Sequence, residues 1–83
     1  MRQRPRPAGA GPRIHSRVLI TVNGQPHDTA PGATVETLLA ELKLLGRPCA
    51  VELNRRLVPK PQHATQTLSE GDVVEVVTLV GGG

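Results

Sequence analysis

The amino-acid sequence predicts an α+β domain in which one helix covers one face of a mixed sheet of four or five strands. One segment, residues 35–45, repeats apolar side chains with the period of a helix. Short segments before and after it are rich in β-branched residues or alternate between apolar and polar residues, as strands do. The chain has 83 residues without Phe, Tyr or Trp, so its core is small and is built from Val, Leu, Ile and Ala. A self-contained enzyme with a deep pocket is not expected at this size.

The first two strands are expected to form a hairpin. Residues 18–22 (VLITV) are apolar and mostly β-branched, and Asn23-Gly24 follows them. Asn and Gly both tolerate positive φ, which makes this dipeptide typical of the two-residue turn in a hairpin. The second strand covers residues 25–30 and is polar enough to lie at the edge of the sheet, before Pro31-Gly32 ends it.

The helix is expected to begin after Thr34, whose hydroxyl suits an N-cap, and Glu36 places a negative charge in the first turn. Lys43 suits the negative end of the helix dipole, Gly46 suits a left-handed position after the helix, and Pro48 prevents continuation. The apolar stripe of this helix consists of Val35, Leu38, Leu39, Leu42 and Leu45. The pattern therefore predicts a helix that runs to about residue 45.

Further strands are predicted after the helix. Residues 50–54 alternate apolar and polar side chains, Arg55-Arg56 is interpreted as a turn, and residues 57–58 as a very short edge strand. Residues 60–69 form a polar loop with at most one helical turn. The last strand, residues 73–80, is the longest and most apolar, so it is expected in the middle of the sheet, parallel to the first strand. This arrangement is the β-grasp fold.

Alternation along the strands assigns each side chain to the helix-covered face or to the open face of the sheet. The core-facing set is Val18, Ile20, Val22, Val51, Leu53, Val74 and Val76. The open-face set is Leu19, Thr21, Glu52, Glu75, Val77 and Leu79. The apolar members Leu19, Val77 and Leu79 are expected to cluster close to the end of the last strand. We interpret them as a partner-docking face, although isolated exposed Val and Leu residues are ordinary on protein surfaces.

Positive charge is concentrated before the first strand. Residues 1–17 contain five arginines and no acid, whereas residues 18–83 contain five bases and seven acids. The first segment is rich in Pro and Gly, which predicts a disordered basic extension ahead of a folded domain at residues 18–83. Its arginines can contact nucleic acid. The folded part is mildly acidic and lacks aromatic residues, so nucleic-acid binding is an unfavoured function.

The sequence lacks the usual catalytic and metal-binding patterns. His15, His27 and His63 have no metal-ligand spacing and are interpreted as surface residues. Cys49 follows Pro48 at the start of a strand and is interpreted as a small buried apolar side chain. Paired carboxylates and a phosphate-binding loop are missing, so we expect neither a metal site nor an active site. There is no membrane-spanning apolar run and no secretory signal, so a cytoplasmic location is expected.

The last three residues, Gly81, Gly82 and Gly83, follow the last predicted strand directly. Glycine has more backbone freedom than any other residue, so three in succession predict a mobile tail at residues 81–83. Fully extended, this tail reaches about 10 Å beyond the sheet, at roughly 3.3–3.6 Å per residue. Backbone without side chains can thread a channel that excludes other residues. Gly81 and Gly82 are therefore candidates for threading into a partner's active site, with the Gly83 carboxylate presented at the end.

Several short motifs of this chain occur in a distinctive order. They are Val22-Asn23-Gly24, Thr34-Val35, Leu38-Leu39, Leu53-Asn54, Val58-Pro59, Gly71-Asp72, Val76 and the terminal Gly-Gly. In order and spacing they resemble the ubiquitin-like sulfur carriers of thiamin biosynthesis, the ThiS type, over residues 18–83. The basic extension departs from that compact pattern. The small subunit of molybdopterin synthase is similar in fold and ending, but it usually has Phe-Pro-Pro where this chain has Val77-Thr78-Leu79-Val80.

What the resemblance implies is a carrier and co-substrate rather than an enzyme. An E1-like adenylyltransferase would dock on the open sheet face and adenylate the Gly83 carboxylate, using ATP and Mg²⁺ that it binds itself. A persulfide protein would serve as sulfur donor and convert the adenylate to a thiocarboxylate, and thiazole synthase would accept the sulfur. Alternatives that stay open are a carrier for molybdopterin, tRNA thiolation or cysteine synthesis, and a ubiquitin-like protein modifier.

Overall fold

Five strands and one helix make up the computed structural model, which describes residues 17–79. The strands are β1 (Val18–Val22), β2 (Gln25–Thr29), β3 (Cys49–Leu53), β4 (Arg56–Leu57) and β5 (Val73–Thr78), the helix is α1 (Val35–Glu41), and a 3-10 turn covers Lys60–Gln62. They form one mixed sheet in the order β2-β1-β5-β3-β4, with the helix against one face. Residues 1–16 of the predicted extension and residues 80–83 lie outside the described residues.

The last strand, β5, lies in the centre of the sheet, as the sequence predicts. It pairs in parallel with β1, where Val22 lies opposite Val74, and antiparallel with β3, where Val51 lies opposite Val76. The hairpin strand β2 and the two-residue strand β4 form the edges. β5 ends at Thr78 rather than at residue 80. The chain therefore leaves the sheet from its central strand.

Both hairpin turns place two residues in the left-handed region, as the common two-residue turn requires. At the first turn, φ is +50° for Asn23 and +82° for Gly24. At the second turn, between β3 and β4, φ is +51° for Asn54 and +72° for Arg55. This second turn comes one residue earlier than predicted because asparagine adopts positive φ more readily than arginine does.

The N-terminal end of α1 forms as the sequence predicts. Thr34 is the N-cap, and its hydroxyl accepts a hydrogen bond from the Thr37 amide at 3.2 Å. Glu36 places its charge in the first turn. A bridge between Thr34 and Thr67 also connects the start of the helix to the loop before β5.

The C-terminal end of α1 comes earlier than its apolar stripe predicts, because the chain reverses at Lys43 (φ +62°). The Leu44 amide donates to the Leu39 carbonyl at 2.7 Å. The Lys43 amide donates to the Ala40 carbonyl at 3.0 Å. These are the two hydrogen bonds of a Schellman motif, in which glycine usually takes the left-handed position. Leu45 therefore lies outside the helix and is 54% exposed. Within residues 17–79, no helix is long and apolar enough to cross a membrane.

The core lies between α1 and the covered face of the sheet. Among the residues predicted to face the helix, Val18 and Leu53 are partly buried and the others are buried. Three further buried residues come from loops: Ala33, Val58 and Leu68. Loop positions follow no period, so the strand and helix patterns do not identify them.

Candidate functional site

The candidate site is the end of β5, where the chain leaves the sheet. β5 pairs with β1 on one side and with β3 on the other. After Thr78, the Leu79 amide still donates to the Pro48 carbonyl at 2.9 Å. The predicted tail, Gly81–Gly83, lies outside the described residues. The structure thus describes the chain up to Leu79, which precedes Val80 and the predicted tail.

Asn23 holds β5 on its β1 side. Its backbone amide donates to the Val74 carbonyl at 2.9 Å. Its side chain forms two hydrogen bonds with one residue, because Nδ2 donates to the Val76 carbonyl at 3.1 Å and Oδ1 accepts from the Val76 amide at 2.8 Å. The sequence predicts Asn23 only as a turn residue, and no pattern in the chain indicates this second role.

A second asparagine holds the beginning of β5. Asn54 Oδ1 accepts from the Val73 amide at 2.9 Å, and Nδ2 donates to Asp72 Oδ1 at 3.0 Å. The Asn54 backbone amide also donates to the Val73 carbonyl at 2.7 Å. Asp72 Oδ2 accepts from the Ser69 amide at 2.7 Å, which closes the turn before the strand. Each hairpin turn therefore contributes one asparagine that attaches to β5.

The three apolar residues of the predicted docking face do not form one cluster. Leu19 lies beside the start of β5, where the Gly71 amide donates to the Leu19 carbonyl at 2.9 Å. Val77 comes six residues after Gly71, which is about 20 Å along a strand at roughly 3.3 Å per residue. Because β1 and β5 are parallel, their first residues lie at the same end of the sheet. Leu19 is therefore remote from Val77 and Leu79, although all three are exposed.

The open face around Val77 combines apolar and acidic side chains. Val77 lies opposite Ala50 of β3, and Glu75 lies directly opposite Glu52. Leu57 of β4 lies on the other side of Glu52. Like charges in directly opposed positions destabilise a sheet, and neither glutamate forms an ion pair within residues 17–79. This surface is complementary to a partner that brings apolar contact and positive charge.

A groove of about 500 Å³ opens beside the end of β5. Its apolar lining includes Leu39, Leu45, Pro48, Cys49 and Leu79. Arg47 and Lys60 add positive charge to the same lining, and Glu36 adds negative charge. Alternation along the strand assigns Leu79 to the open face, but β5 ends at Thr78, and Leu79 lines this groove beside Leu39 of the covered side. The assignment is therefore corrected for Leu79, whereas Val77 remains on the open face. Because α1 ends at Glu41, Leu45 lies outside the helix and lines the wall of the groove.

The histidines and the cysteine mostly serve the fold. His63 is buried, which corrects its interpretation as a surface residue, and its Nε2 donates to the Val58 carbonyl at 3.0 Å. His27 is partly buried, with Nε2 2.9 Å from Glu41 Oε1. Cys49 is partly buried against the core. The histidine at position 15 lies outside the described residues. Within residues 17–79, no group of three or more His, Cys, Asp or Glu side chains is arranged to hold a metal ion.

Comparison with known proteins identifies the family of this chain. The model of the ThiS family matches residues 20–83, which include almost the whole sheet and the terminal glycines. The chain belongs to the ThiS family. The resemblance inferred from the order of the motifs is thereby confirmed.

Individual relatives agree with the ThiS assignment. The sulfur carrier protein ThiS of Escherichia coli is 31% identical over 64 residues, which are 77% of this chain and 97% of that protein. The crystal structure of the thiamine biosynthesis protein ThiS from Geobacter metallireducens matches with a TM-score of 0.67 and 35% identity. The match covers 80% of this chain and 100% of that one, and it confirms the predicted β-grasp fold.

A longer relative contains a segment similar to this ThiS-family chain. The thiazole synthase of Paramagnetospirillum magneticum is 39% identical over 64 residues. These residues are 77% of this chain but 20% of that protein. The chain thus spans about a fifth of the length of that relative, and the similarity concerns one segment of it.

Proposed function

We propose that this ThiS-family chain is a sulfur carrier of thiamin biosynthesis and that Gly83 carries the sulfur as a C-terminal thiocarboxylate. The observation that carries the proposal is the family match, which continues through the terminal glycines to residue 83. A relative of nearly the same span, from Escherichia coli, is named a sulfur carrier. The central position of β5 supports the same function, because the strand that precedes the tail is paired on both sides within the sheet.

The Gly83 carboxylate is a poor electrophile, so sulfur transfer requires its activation. On an E1-like adenylyltransferase, a carboxylate oxygen attacks the α-phosphate of ATP, which releases pyrophosphate and forms an acyl-adenylate. The terminal sulfur of a donor protein's persulfide then attacks the acyl carbon, and AMP leaves. A thiol then attacks the donor-side sulfur of the resulting acyl disulfide, which forms a disulfide with the donor cysteine and frees the thiocarboxylate. The route replaces one difficult substitution by several easier ones.

In this proposal the chain is a co-substrate and its partners are the enzymes. ATP and Mg²⁺ are assigned to the adenylyltransferase, and the chain binds no cofactor of its own. Gly81 and Gly82 contribute backbone without side chains, which can thread a narrow channel to the adenylation site. Thiazole synthase is proposed as the sulfur acceptor, and the support is the relative of that name that contains a segment similar to this chain.

The proposed docking surface is the part of the open face nearest to the tail. Val77 lies at its centre and is exposed in the free chain. Leu79 extends the surface towards the groove. Glu52 and Glu75 add negative charge, so the partner surface is expected to carry positive charge. Leu19 lies about 20 Å away along the sheet and is left out of this surface.

The proposal is tested by incubating the purified chain with an E1-like adenylyltransferase, a persulfide donor and ATP under anaerobic conditions. Intact mass spectrometry is expected to show the replacement of one oxygen by sulfur, and fragmentation is expected to place the sulfur at Gly83. The matched control is the chain without Gly83, which is expected to stay unmodified. A folded chain that gains no sulfur from an active adenylyltransferase and donor would contradict the proposal.

The same reaction separates the alternative functions. A covalent adduct with a lysine of another protein would identify a protein modifier. Thiocarboxylate that thiazole synthase fails to consume would identify a carrier for another sulfur pathway. Disappearance of the thiocarboxylate upon addition of thiazole synthase and its other substrates is the expected outcome.

A further inference from the structure

The last residues of β5 are attached differently on their two sides. On the β3 side, backbone pairing continues to Thr78. On the β1 side, the strand ends at Val22, opposite Val74. Beyond that pair, the attachment on this side among residues 17–79 is the side chain of Asn23, which bonds both the amide and the carbonyl of Val76.

The Asn23 carboxamide takes the place of one more peptide group of β1. In a parallel pair, the bonds between the strands are evenly spaced along the backbone. The Val74 carbonyl receives the backbone amide of Asn23 at 2.9 Å. Two residues later, Val76 receives one donor and one acceptor from the side chain of the same asparagine, at 3.1 and 2.8 Å. β5 therefore keeps its hydrogen bonding after β1 has turned away.

Asparagine meets two separate requirements at this position. The turn requires positive φ, here +50°, which Asn adopts more readily than most residues. The attachment to Val76 requires a donor and an acceptor on one short side chain. Glycine would satisfy the turn alone, and ionised aspartate could accept but not donate. The attachment to β5 therefore distinguishes asparagine from the other residues that suit the turn.

We propose that Asn23 is a positioning residue for the reaction at Gly83: its side chain holds β5 at Val76 and thereby sets where the tail begins relative to the docking surface. This inference rests on the proposed function. Val77, the centre of the docking surface, directly follows the residue that Asn23 holds. Without the Asn23 bonds the last residues of β5 would be held on the β3 side alone, which would let Val77 and the start of the tail shift together. A displacement of about 1 Å at a reacting group can cost about 100-fold in rate.

The chain offers a matched control for this proposal in its other hairpin turn. Asn54 has φ +51° and also bonds β5 through its side chain, but at Val73, the first residue of the strand. Asn23→Gly and Asn54→Gly therefore remove the same carboxamide from the same kind of turn, and with it the side-chain bonds to Val76 in the first variant and to Val73 in the second. Asn23→Asp is the second variant, because it keeps the acceptor for the Val76 amide and removes the donor to the carbonyl.

The experiment measures adenylation kinetics with the E1-like adenylyltransferase and ATP, by pyrophosphate release at varied concentrations of the full-length carrier. Asn23→Gly is expected to lower kcat about tenfold, whereas Asn54→Gly stays within about twofold of wild type. Amide hydrogen exchange of the free chain is expected to accelerate at Val76 in Asn23→Gly and to remain slow there in Asn23→Asp. Asn23→Asp is expected to lower kcat as well, since the carbonyl bond is lost.

Several outcomes would overturn the proposal. Equal losses of kcat in Asn23→Gly and Asn54→Gly would indicate an effect of stability alone. Accelerated exchange at Val76 with unchanged kcat would show that the attachment does not influence the reaction. If Asn23→Gly fails to fold, wild-type kcat in Asn23→Asp overturns the role. A wild-type chain that is not adenylated refutes the proposed function itself, and that result differs from every outcome of the variant comparison.

Discussion

A charge introduced at Val77 is expected to weaken docking without unfolding the chain. Val77 is 57% exposed on the open face, whereas the adjacent Val76 is buried in the core. In Val77→Asp the carboxylate remains in solvent in the free chain. The free energy of unfolding is therefore expected to fall by about 1 kcal/mol or less.

The effect on binding follows from the surface that a partner covers. Full burial of a valine side chain contributes about 1.5–3 kcal/mol. Because 57% of Val77 remains accessible, a docked partner gains roughly 1–2 kcal/mol from it. The partner's positive charge is expected opposite Glu52 and Glu75, and its apolar contact at Val77 itself. Aspartate therefore forfeits that gain and adds the desolvation cost of a carboxylate, which exceeds the roughly 1–3 kcal/mol of a neutral polar group. The dissociation constant is therefore expected to rise at least about thirtyfold.

The assay is isothermal titration calorimetry with the E1-like adenylyltransferase, with thermal unfolding of each variant measured in parallel. The matched control is Val73→Asp, which changes the same residue type on the same strand and face at 45% exposure. Val73 lies four residues earlier, about 13 Å away at roughly 3.3 Å per residue, and near-wild-type binding is expected there. Equal affinity of the two folded variants for the partner would refute the assignment of the docking surface to Val77.

Three further changes test other parts of the account. Deletion of residues 1–16 is expected to leave the melting temperature nearly unchanged because the segment has little apolar surface to pack, and a fall of several degrees would contradict this. Cys49→Ser is expected to cost some stability, since the thiol packs partly against the core, yet to retain thiocarboxylate formation; a folded variant that forms none would contradict the mechanism. Lys43→Gly removes the steric strain of a side chain at positive φ at the end of α1, so the melting temperature is expected to rise by about 2–5 °C. An unchanged or lower melting temperature would contradict the Schellman assignment.

Features set by local chemistry could be predicted from the sequence. The hydroxyl of Thr34, the Asn23-Gly24 turn and the apolar character of β5 each act within a few residues, and the structure agrees with each. The end of α1 could not be predicted from its stripe, because Leu45 continues the period although Lys43 has already reversed the chain. The spacing of apolar residues therefore does not show where the backbone leaves the helical conformation.

Features that depend on two distant segments required the structure. His63 lies in a polar loop that contacts the first turn of α1, where the Glu36 amide donates to the His63 carbonyl at 2.8 Å. The separation of Leu19 from Val77 follows from the parallel register of β1 and β5, which alternation within each strand does not contain. The bond between the Asn23 side chain and Val76 joins residues 53 positions apart. The turn at Asn23 depends on neighbouring residues and could be predicted, whereas the attachment of Asn23 to β5 depends on a distant segment and could not.

The addition of one alanine after Gly83 tests the central claim most directly. The extension moves the terminal carboxylate by about 3.5 Å, whereas reacting atoms must approach to roughly 3–3.5 Å of each other. With the adenylyltransferase, persulfide donor and ATP, the wild-type chain is expected to gain a thiocarboxylate at Gly83 and the extended chain none, at equal melting temperature. A full yield of thiocarboxylate from the extended chain, with the added alanine still present in the intact mass, would contradict the claim that Gly83 is the sulfur-carrying residue.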